Sequence, residues 1–146
     1  VAPSGTWRRE RAGATATLAW SERHRRRLKL TADDGAEFLL DLPRATVLGE
    51  GDGLELDDGT WIEVRAAEED VCDVACVGPE HLARIAWHLG NRHLDVQVIA
   101  GGLRIRDDHV IVAMLRELGA EVTRRRAPFA PEAGAYAHPA THAPDP

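Results

Sequence analysis

The sequence predicts an α+β fold: an all-β N-terminal module, then a ferredoxin-like βαββαβ domain, then an extended C-terminal tail. Three observations predict it. Up to about residue 66, apolar and polar side chains alternate with the period of a strand between Gly- and Asp-rich turns. Residues 71–126 alternate strand-like runs with two stretches of helical periodicity. The last twenty residues contain five prolines, so the predicted boundaries are 1–70, 71–126 and 127–146.

The N-terminal module is predicted to contain only strands. Residues 1–14 are small, polar and rich in arginine, and we expect them to be loosely ordered. Asp33-Asp34-Gly35 indicates a hairpin turn, and Pro43 is expected to end the second strand because proline cannot donate to a ladder. The strand-like runs are Thr15–Trp20, Leu28–Leu30, Glu37–Leu42, Leu54–Leu56 and Thr60–Arg65.

A basic run, Arg23–Lys29, precedes the predicted hairpin. Charge of this kind is typical of a solvated strand edge that resists pairing with another chain. The alternative is a surface for an acidic protein partner or a nucleic acid. The net charge of −6 disfavours the nucleic acid.

The second domain begins with a strand and a helix. Cys72, Val74 and Cys76 share one face of a predicted strand over 71–77, where we expect the thiols to be buried as small apolar groups. Pro79 suits the first turn of a helix that runs to His88 or Leu89. Gly90 is expected to end that helix in the left-handed conformation. The predicted buried stripe is Leu82, Ile85, Ala86 and Leu89.

Two strands, a helix and a last strand complete the domain. Strands are predicted at Leu94–Ala100 and Leu103–Arg106, and Asp107 or Asp108 caps the second helix. Gly119 ends that helix before a strand that Ala120–Thr123 opens. The predicted buried stripe of the helix is Ile111, Met114, Leu115 and Leu118. Right-handed crossovers then put both helices on one face of a four-stranded antiparallel sheet.

Composition narrows the class of protein. The chain has 146 residues, of which 44% are hydrophobic and 29% charged, as in an ordinary soluble globular protein. No run approaches the 18 apolar residues of a membrane span, and the N-terminal residues do not fit a secretory signal, so a cytoplasmic location is expected. Two cysteines are too few to form a disulfide framework or a zinc site.

His93 is the first candidate metal ligand. It follows the predicted helix end directly, so a turn holds it, and an imidazole that titrates near neutral pH is a natural ligand for a transition metal. The alternative is an ordinary surface histidine after a helix. His138 and His142 lie on the predicted tail, which could fold back and complete an open coordination sphere or could be inert.

Three segments together resemble the UreE family of urease accessory proteins, the nickel metallochaperones of urease maturation. They are His88-Leu89-Gly90-Asn91-Arg92-His93, Asp108-His109-Val110 at the start of a helix that reaches Leu118-Gly119, and Pro128-Phe129-Ala130-Pro131-Glu132-Ala133-Gly134-Ala135-Tyr136. The turns at Asp41-Leu42-Pro43-Arg44 and Gly51-Asp52-Gly53 are also similar to turns of that family. The resemblance covers nearly the whole chain.

The resemblance implies that the N-terminal module, residues 1–70, contacts protein partners. It also implies a homodimer formed by the second domain, with His93 as the main nickel ligand from both protomers. It also implies delivery of Ni²⁺ to the urease-maturation GTPase and the apo-urease accessory complex. Extra ligands in some members match His88, His109 and position 107, where this chain has aspartate. Only His138 and His142 represent the long histidine-rich tail of many relatives, so one transferable ion per dimer is expected rather than bulk storage.

Three other functions compete with the nickel chaperone as interpretations of this sequence. The same histidines could serve a protein that binds or buffers Zn²⁺ or Cu²⁺, since imidazole suits all three metals. A metallohydrolase lacks H-E-x-x-H or a comparable cluster in this sequence, so we expect no enzyme. An RNA-binding ferredoxin-like domain would stack bases on sheet aromatics, and the predicted strands of the second domain contain none.

Overall fold

The computed structural model describes residues 1–132. They divide into two compact units, residues 1–67 and a second unit that starts at Glu68. The tail histidines His138 and His142 lie outside the described residues. Among the described residues, no helix is long and apolar enough to cross a membrane.

Five strands in two small sheets form the first unit. The strands are β1 (Ala12–Leu18), β2 (His24–Thr31), β3 (Glu37–Val47), β4 (Gly53–Glu55) and β5 (Trp61–Ala66). One sheet has the order β1-β5-β4, with β1 parallel to β5, and the other is the predicted β2-β3 hairpin. The buried residues of the core come from both sheets and are Ala16, Leu18, Leu30, Leu40, Leu48, Leu54, Ile62 and Val64.

The first eleven residues are ordered against the first unit, so the prediction of a loose segment is wrong. Trp7 stacks on Trp61 with ring centroids 5.1 Å apart, and its indole N–H donates to the Gly51 carbonyl. Arg9, in a 3₁₀ turn, pairs with the buried Glu63 carboxylate at 2.6 Å. Aromatic stacking and an ion pair to a buried acid hold this segment, which alternation alone did not reveal.

Two further predictions in this unit are wrong. A four-residue helix, α1 (Trp20–Arg23), follows β1, where only strands were expected. The Glu22 carboxylate accepts from the Ala19 N–H at its start. Strand β3 also continues past Pro43 to Val47, because Pro43 falls within a bulge in the pairing with β2 and no ladder donor is needed there.

The basic run divides into one buried and several exposed side chains. Arg23 is buried, donates to the Leu18 and Leu48 carbonyls and lies over the Trp20 ring. Residues 24–27 and Lys29 are exposed on β2, which pairs with β3 alone in its sheet. This arrangement agrees with a solvated strand edge for all of the run except Arg23.

The second unit has the predicted ferredoxin-like βαββαβ order. Its elements are β6 (Glu68–Ala75), α2 (Pro79–Asn91), β7 (Gln97–Ile99), β8 (Gly102–Arg106), α3 (His109–Glu117) and β9 (Glu121–Pro128). The antiparallel sheet has the order β7-β8-β6-β9. Cys72 and Val74 from β6 join Ile85 and Leu89 of α2 and Ile111 and Leu115 of α3 in one core. The α+β fold class is confirmed.

Local details of the second unit differ from the prediction. Strand β6 starts three residues early and ends at Ala75, so Cys76 is only partly buried and Val77 is exposed. Ala86 is exposed, although it was predicted in the buried stripe of α2. Strand β7 is shorter than predicted, because Leu94 belongs to the end of α2.

Other local predictions are confirmed. Pro79 lies in the first turn of α2, and the Asp108 carboxylate accepts from the N–H groups of Val110 and Ile111 at the start of α3. Gly119, with φ +85°, ends α3.

Candidate metal centre

The end of α2 is built around His93 rather than Gly90. Gly90 is still helical, and His93 is the one non-glycine residue of the described chain with positive φ, at +57°. The His93 N–H donates to the Gly90 carbonyl, and the Leu94 N–H donates to the Leu89 carbonyl. This pair of bonds is a Schellman motif with histidine at the position where glycine is usual. The prediction that Gly90 supplies the left-handed residue is therefore wrong.

The left-handed backbone has a consequence for the His93 side chain. A residue with a Cβ costs about 1–2 kcal/mol in this conformation, although histidine adopts it more readily than most. Leu94 packs against the core that contains Leu89, so the helix end is fixed on both sides of His93. The imidazole is exposed, and an anchored backbone therefore presents a free side chain to a ligand.

His88 and His109 lie at other positions on the same unit. His88 is half-buried on α2, with its ring edge-on to Trp87 at 5.1 Å. His109 is exposed and is the first residue of α3. A cleft of about 330 Å³ is lined by Leu94 and Asp108, which are the chain neighbours of His93 and His109. None of the three histidines is itself among the residues that line this cleft.

Asp107 is engaged in protein contacts. Its carboxylate accepts from the Arg124 guanidinium at 3.2 Å and from the Cys72 thiol at 3.4 Å. The hydrogen bond from Arg124 lowers the pKa of Asp107, and the Cys72 thiol lowers it further. Burial, followed by the bond to Asp107, raises the pKa of Cys72 to about 11. A metal at Asp107 and His109 would have to compete with these bonds.

His81, on the polar face of α2, serves the fold. Its Nδ1 accepts from the Val77 N–H at 3.0 Å, and its Nε2 lies 2.8 Å from the Leu118 carbonyl oxygen. An Nε2–H tautomer satisfies both contacts, since Nδ1 is then free to accept. With both ring nitrogens used, His81 is a link between the two helices and not a ligand.

Within residues 1–132, no three His, Cys, Asp or Glu side chains are grouped closely enough to hold a metal ion. The described part of the second unit therefore offers a transition metal single imidazoles, at His93, His88 and His109. A complete coordination sphere at any of them needs further donors, from water, a second copy of the chain or residues beyond 132.

After β9 the chain crosses the sheet instead of leaving it. We call residues 128–132 the strap. The Ala130 N–H donates to the Gln97 side-chain oxygen at 3.0 Å, and the Glu132 N–H donates to the Val96 carbonyl at 2.7 Å. Phe129 is fully buried beneath the Arg106 guanidinium. The strap thus runs from the β9 edge of the sheet to the β7 edge. There it contacts Val96, which is three positions after His93 in the chain.

The prediction of an extended tail over 127–146 did not include these contacts. In the structure Ala127, Phe129 and Pro131 are buried, whereas Pro128, Ala130 and Glu132 between them are exposed. This burial alternates with the period of two that is typical of an extended segment on a sheet. Because alanine and proline stand on both the buried and the exposed side, the sequence carries no matching alternation of polarity.

The fold and this site define a two-unit α+β protein whose ferredoxin-like unit exposes histidines at its helix ends. Two family models cover almost all of it: "UreE urease accessory protein, N-terminal domain" matches residues 4–67, and "UreE urease accessory protein, C-terminal domain" matches residues 69–145. The chain belongs to the UreE family of urease accessory proteins.

Curated relatives agree with the family models. The chain is 54% identical over 131 residues to a urease accessory protein UreE of Bradyrhizobium sp. (strain ORS 278), covering 90% of this chain and 62% of the relative. It is 53% identical over 129 residues to the urease accessory protein UreE of Rhodopseudomonas palustris (strain HaA2), and this match covers 88% of this chain and 60% of the relative. It is 50% identical over 135 residues to the urease accessory protein UreE of Chelativorans sp. (strain BNC1), and this match covers 92% of this chain and 85% of the relative. The chain thus spans about three fifths of the length of the first two.

Proposed function

We propose that this chain is a nickel metallochaperone that binds Ni²⁺ as cargo between two copies of itself and delivers it for assembly of the urease active site. Family membership supports a role in urease maturation. The observation that carries the metal site is His93, an exposed imidazole on an anchored left-handed backbone at the end of α2.

A twofold dimer turns one imidazole per chain into a two-nitrogen site. An isologous interface presents each residue to its own copy, so His93 near the axis would face His93 of the partner subunit. A shared site also explains why no three donors are grouped within residues 1–132. Water and the tail histidines His138 and His142 would fill the remaining positions.

The exposed side of α2 supports a dimer through the second unit. Trp87 is 63% exposed, and small exposed residues surround it on the same helical stripe. The stripe is Ala83, Ala86, Trp87 and Gly90. A large exposed aromatic among small residues allows close approach of a second helix and is typical of an interface. The stripe leads along α2 to His93.

Delivery requires partners and a location. We propose the urease-maturation GTPase and the apo-urease accessory complex as recipients in the cytoplasm, with the first unit making protein contacts and the second holding the metal. The role needs no catalysis, nucleic acid or membrane. His88 and His109 are auxiliary ligands in this scheme, and Asp107 is a weak one because Arg124 and Cys72 already occupy its carboxylate.

The choice of nickel comes from the family, because imidazole and water also suit Cu²⁺ and Zn²⁺. A buffering protein for those metals would use the same histidines without urease delivery. A metal-transfer assay distinguishes the nickel chaperone from a buffering protein. Nickel-loaded protein should activate apo-urease in the presence of the maturation proteins, whereas copper- or zinc-loaded protein should not.

Calorimetric titration with Ni²⁺ tests the site, with light scattering to record the oligomeric state. We expect one tight ion per two chains in the wild type and its loss in His93→Ala. His24→Ala, at an exposed histidine on β2 of the first unit, is the matched control, and we expect it to keep the tight ion. Binding that is indifferent to His93 would refute the shared site.

A further inference from the structure

Residues 94–97, the segment that leads from His93 into β7, are held in place at each position. The Leu94 side chain packs against the core of the second unit. The Asp95 carboxylate accepts from the Arg106 guanidinium at 3.2 Å. The remaining two residues of the segment are attached to the strap.

The strap donates two hydrogen bonds to the end of this segment. The Glu132 N–H donates to the Val96 carbonyl at 2.7 Å, and the Ala130 N–H donates to the Gln97 side-chain oxygen at 3.0 Å. Strand β7 has only three residues and is the last strand of its sheet, so its own ladder with β8 is short. The strap therefore adds two attachments at a point where the sheet alone provides few.

Burial of Phe129 fixes the strap on the second unit. Phe129 is fully buried, and the Arg106 guanidinium lies 5.8 Å from its ring centroid. The ion pair between Arg106 and Asp95 is half exposed, and pairs of this kind contribute little to stability. A buried Phe, in contrast, removes about 150–250 Å² of surface from water. The strap, rather than the ion pair, is therefore the element that can hold residues 94–97.

His93 needs such support because its backbone conformation is costly. Its φ of +57° lies in the left-handed region. For a residue with a Cβ, the cost of this conformation would leave it populated in only about 3–15% of molecules if no neighbour held it. The imidazole keeps one direction only while the backbone stays left-handed. Contacts that fix residues 94–97 therefore also fix the imidazole.

We propose that Gln97 and the strap are positioning elements for His93, which hold the residues after it and so keep its backbone left-handed before the metal arrives. This inference rests on the proposed nickel site. Gln97 and the strap act through the His93 backbone and do not touch the metal. Pre-organisation of this kind strengthens binding because the ion does not have to order the segment itself.

The affinity that depends on the strap has a ceiling. When only a fraction of the molecules has the binding-competent conformation, the apparent Kd rises by the reciprocal of that fraction. A left-handed population of about 3–15% corresponds to a rise of about 7- to 30-fold for each His93. Leu94 remains in the core when the strap bonds are lost, so their loss should produce only part of this change.

Two variants remove one strap bond each, and each has a matched control. Gln97→Met removes the side-chain acceptor at nearly constant shape, whereas Gln97→Glu keeps an acceptor for the Ala130 N–H. Glu132→Pro removes the donor to the Val96 carbonyl, whereas Glu132→Ala keeps it. Val112→Ala, at a buried core residue of α3, lowers the stability of the unit and leaves both strap bonds in place.

The full chain is then measured with and without metal. In the metal-free protein, hydrogen exchange by NMR reports on the N–H groups of His93 and Leu94, which close the end of α2. Both should exchange faster in the double variant Gln97→Met, Glu132→Pro than in Val112→Ala. Competition with a chromophoric chelator gives the Ni²⁺ affinity. The double variant should raise the Kd about fivefold, whereas Gln97→Glu, Glu132→Ala and Val112→Ala should keep the wild-type value.

The possible outcomes separate this inference from the proposed function. Wild-type nickel affinity in the double variant would overturn the inference, and so would equal weakening in Val112→Ala. Unchanged exchange of the His93 and Leu94 amides in the double variant would also overturn it, because the strap would then not hold the helix end. Wild-type affinity in His93→Ala would instead overturn the proposed function itself.

Discussion

Replacing His93 by glycine should remove the proposed ligand but leave the metal-free protein more stable than replacing it by alanine. At φ +57° a side chain with a Cβ costs about 1–2 kcal/mol, which glycine does not incur. Glycine loses about 0.5–1 kcal/mol more conformational entropy on folding than alanine. The net expected gain is about 0.5–1 kcal/mol for His93→Gly relative to His93→Ala.

Native-state hydrogen exchange of the β6 amides provides the assay, because it reports the unfolding free energy of the second unit at one protein concentration. Gly119→Ala is the matched variant at the end of α3. Gly119 has φ +85°, and a Cβ there would meet only His81 Nε2 at 3.8 Å, so alanine should destabilise the unit by about 0.5–1 kcal/mol through backbone strain. Lower stability of His93→Gly than of His93→Ala would refute the left-handed assignment of His93, and a Gly119→Ala variant as stable as the wild type would refute the assumed strain.

Three further predictions concern the sheet of the second unit. Gly102→Ala should destabilise by more than about 2 kcal/mol in thermal unfolding, because its Cβ would collide with a backbone carbonyl of β6; an unchanged melting temperature would contradict the close approach. The hydrogen bond from Arg104 lowers the pKa of Asp73. The stabilisation of the folded state by the ionised Asp73 carboxylate is therefore complete above the unfolded pKa near 3.9 and is lost as the pH falls through the folded pKa. In urea titrations, Asp73→Asn should therefore lower the free energy of unfolding by about 1–2 kcal/mol at pH 7 and by little at pH 2. Burial raises the pKa of both thiols, that of Cys72 to about 11. Iodoacetamide at pH 8 should therefore label the half-buried Cys76 first, and faster labelling of Cys72 by mass spectrometry would contradict its burial.

Periodicity was enough to predict the second unit. The apolar spacing of Ile85 and Leu89 on one helix and of Ile111 and Leu115 on the other defined two faces that could only be buried on a common sheet. Asp108 and Gly119 then marked both ends of α3, because capping chemistry is local and leaves a local signature.

Features that depend on tertiary contacts were not predictable in this way. Trp7 stacks on Trp61, which is 54 positions further along the chain, and no local sequence pattern predicts such a stack. Pro43 stays within β3 because a bulge removes the need for a donor, and the bulge is a property of two strands. At the end of α2, conformational propensity favoured Gly90 for the left-handed position, but the burial of Leu89 and Leu94 puts that position at His93.

The candidate site was likewise predictable only where its features are local in the sequence. Sequence spacing identified His93, and the resemblance gave it a role, but neither showed that its backbone is left-handed and fixed. The resemblance matched Asp107 to a position where some members have an extra ligand, whereas in the structure Arg124 and Cys72 occupy its carboxylate. The strap went unrecognised because its contacts with β7 lie about 33 positions away in the chain.

Native mass spectrometry of mixed dimers tests the shared site most directly. Wild-type and His93→Gly chains differ in mass, so an exchanged mixture yields both homodimers and the heterodimer, each with its own nickel occupancy. We predict that at limiting Ni²⁺ the wild-type homodimer holds one ion, the His93→Gly homodimer holds none, and the heterodimer, with one imidazole at the axis, loses most of its ion. A heterodimer that retains nickel as fully as the wild-type homodimer would show that one His93 suffices and would contradict a site shared across the twofold axis.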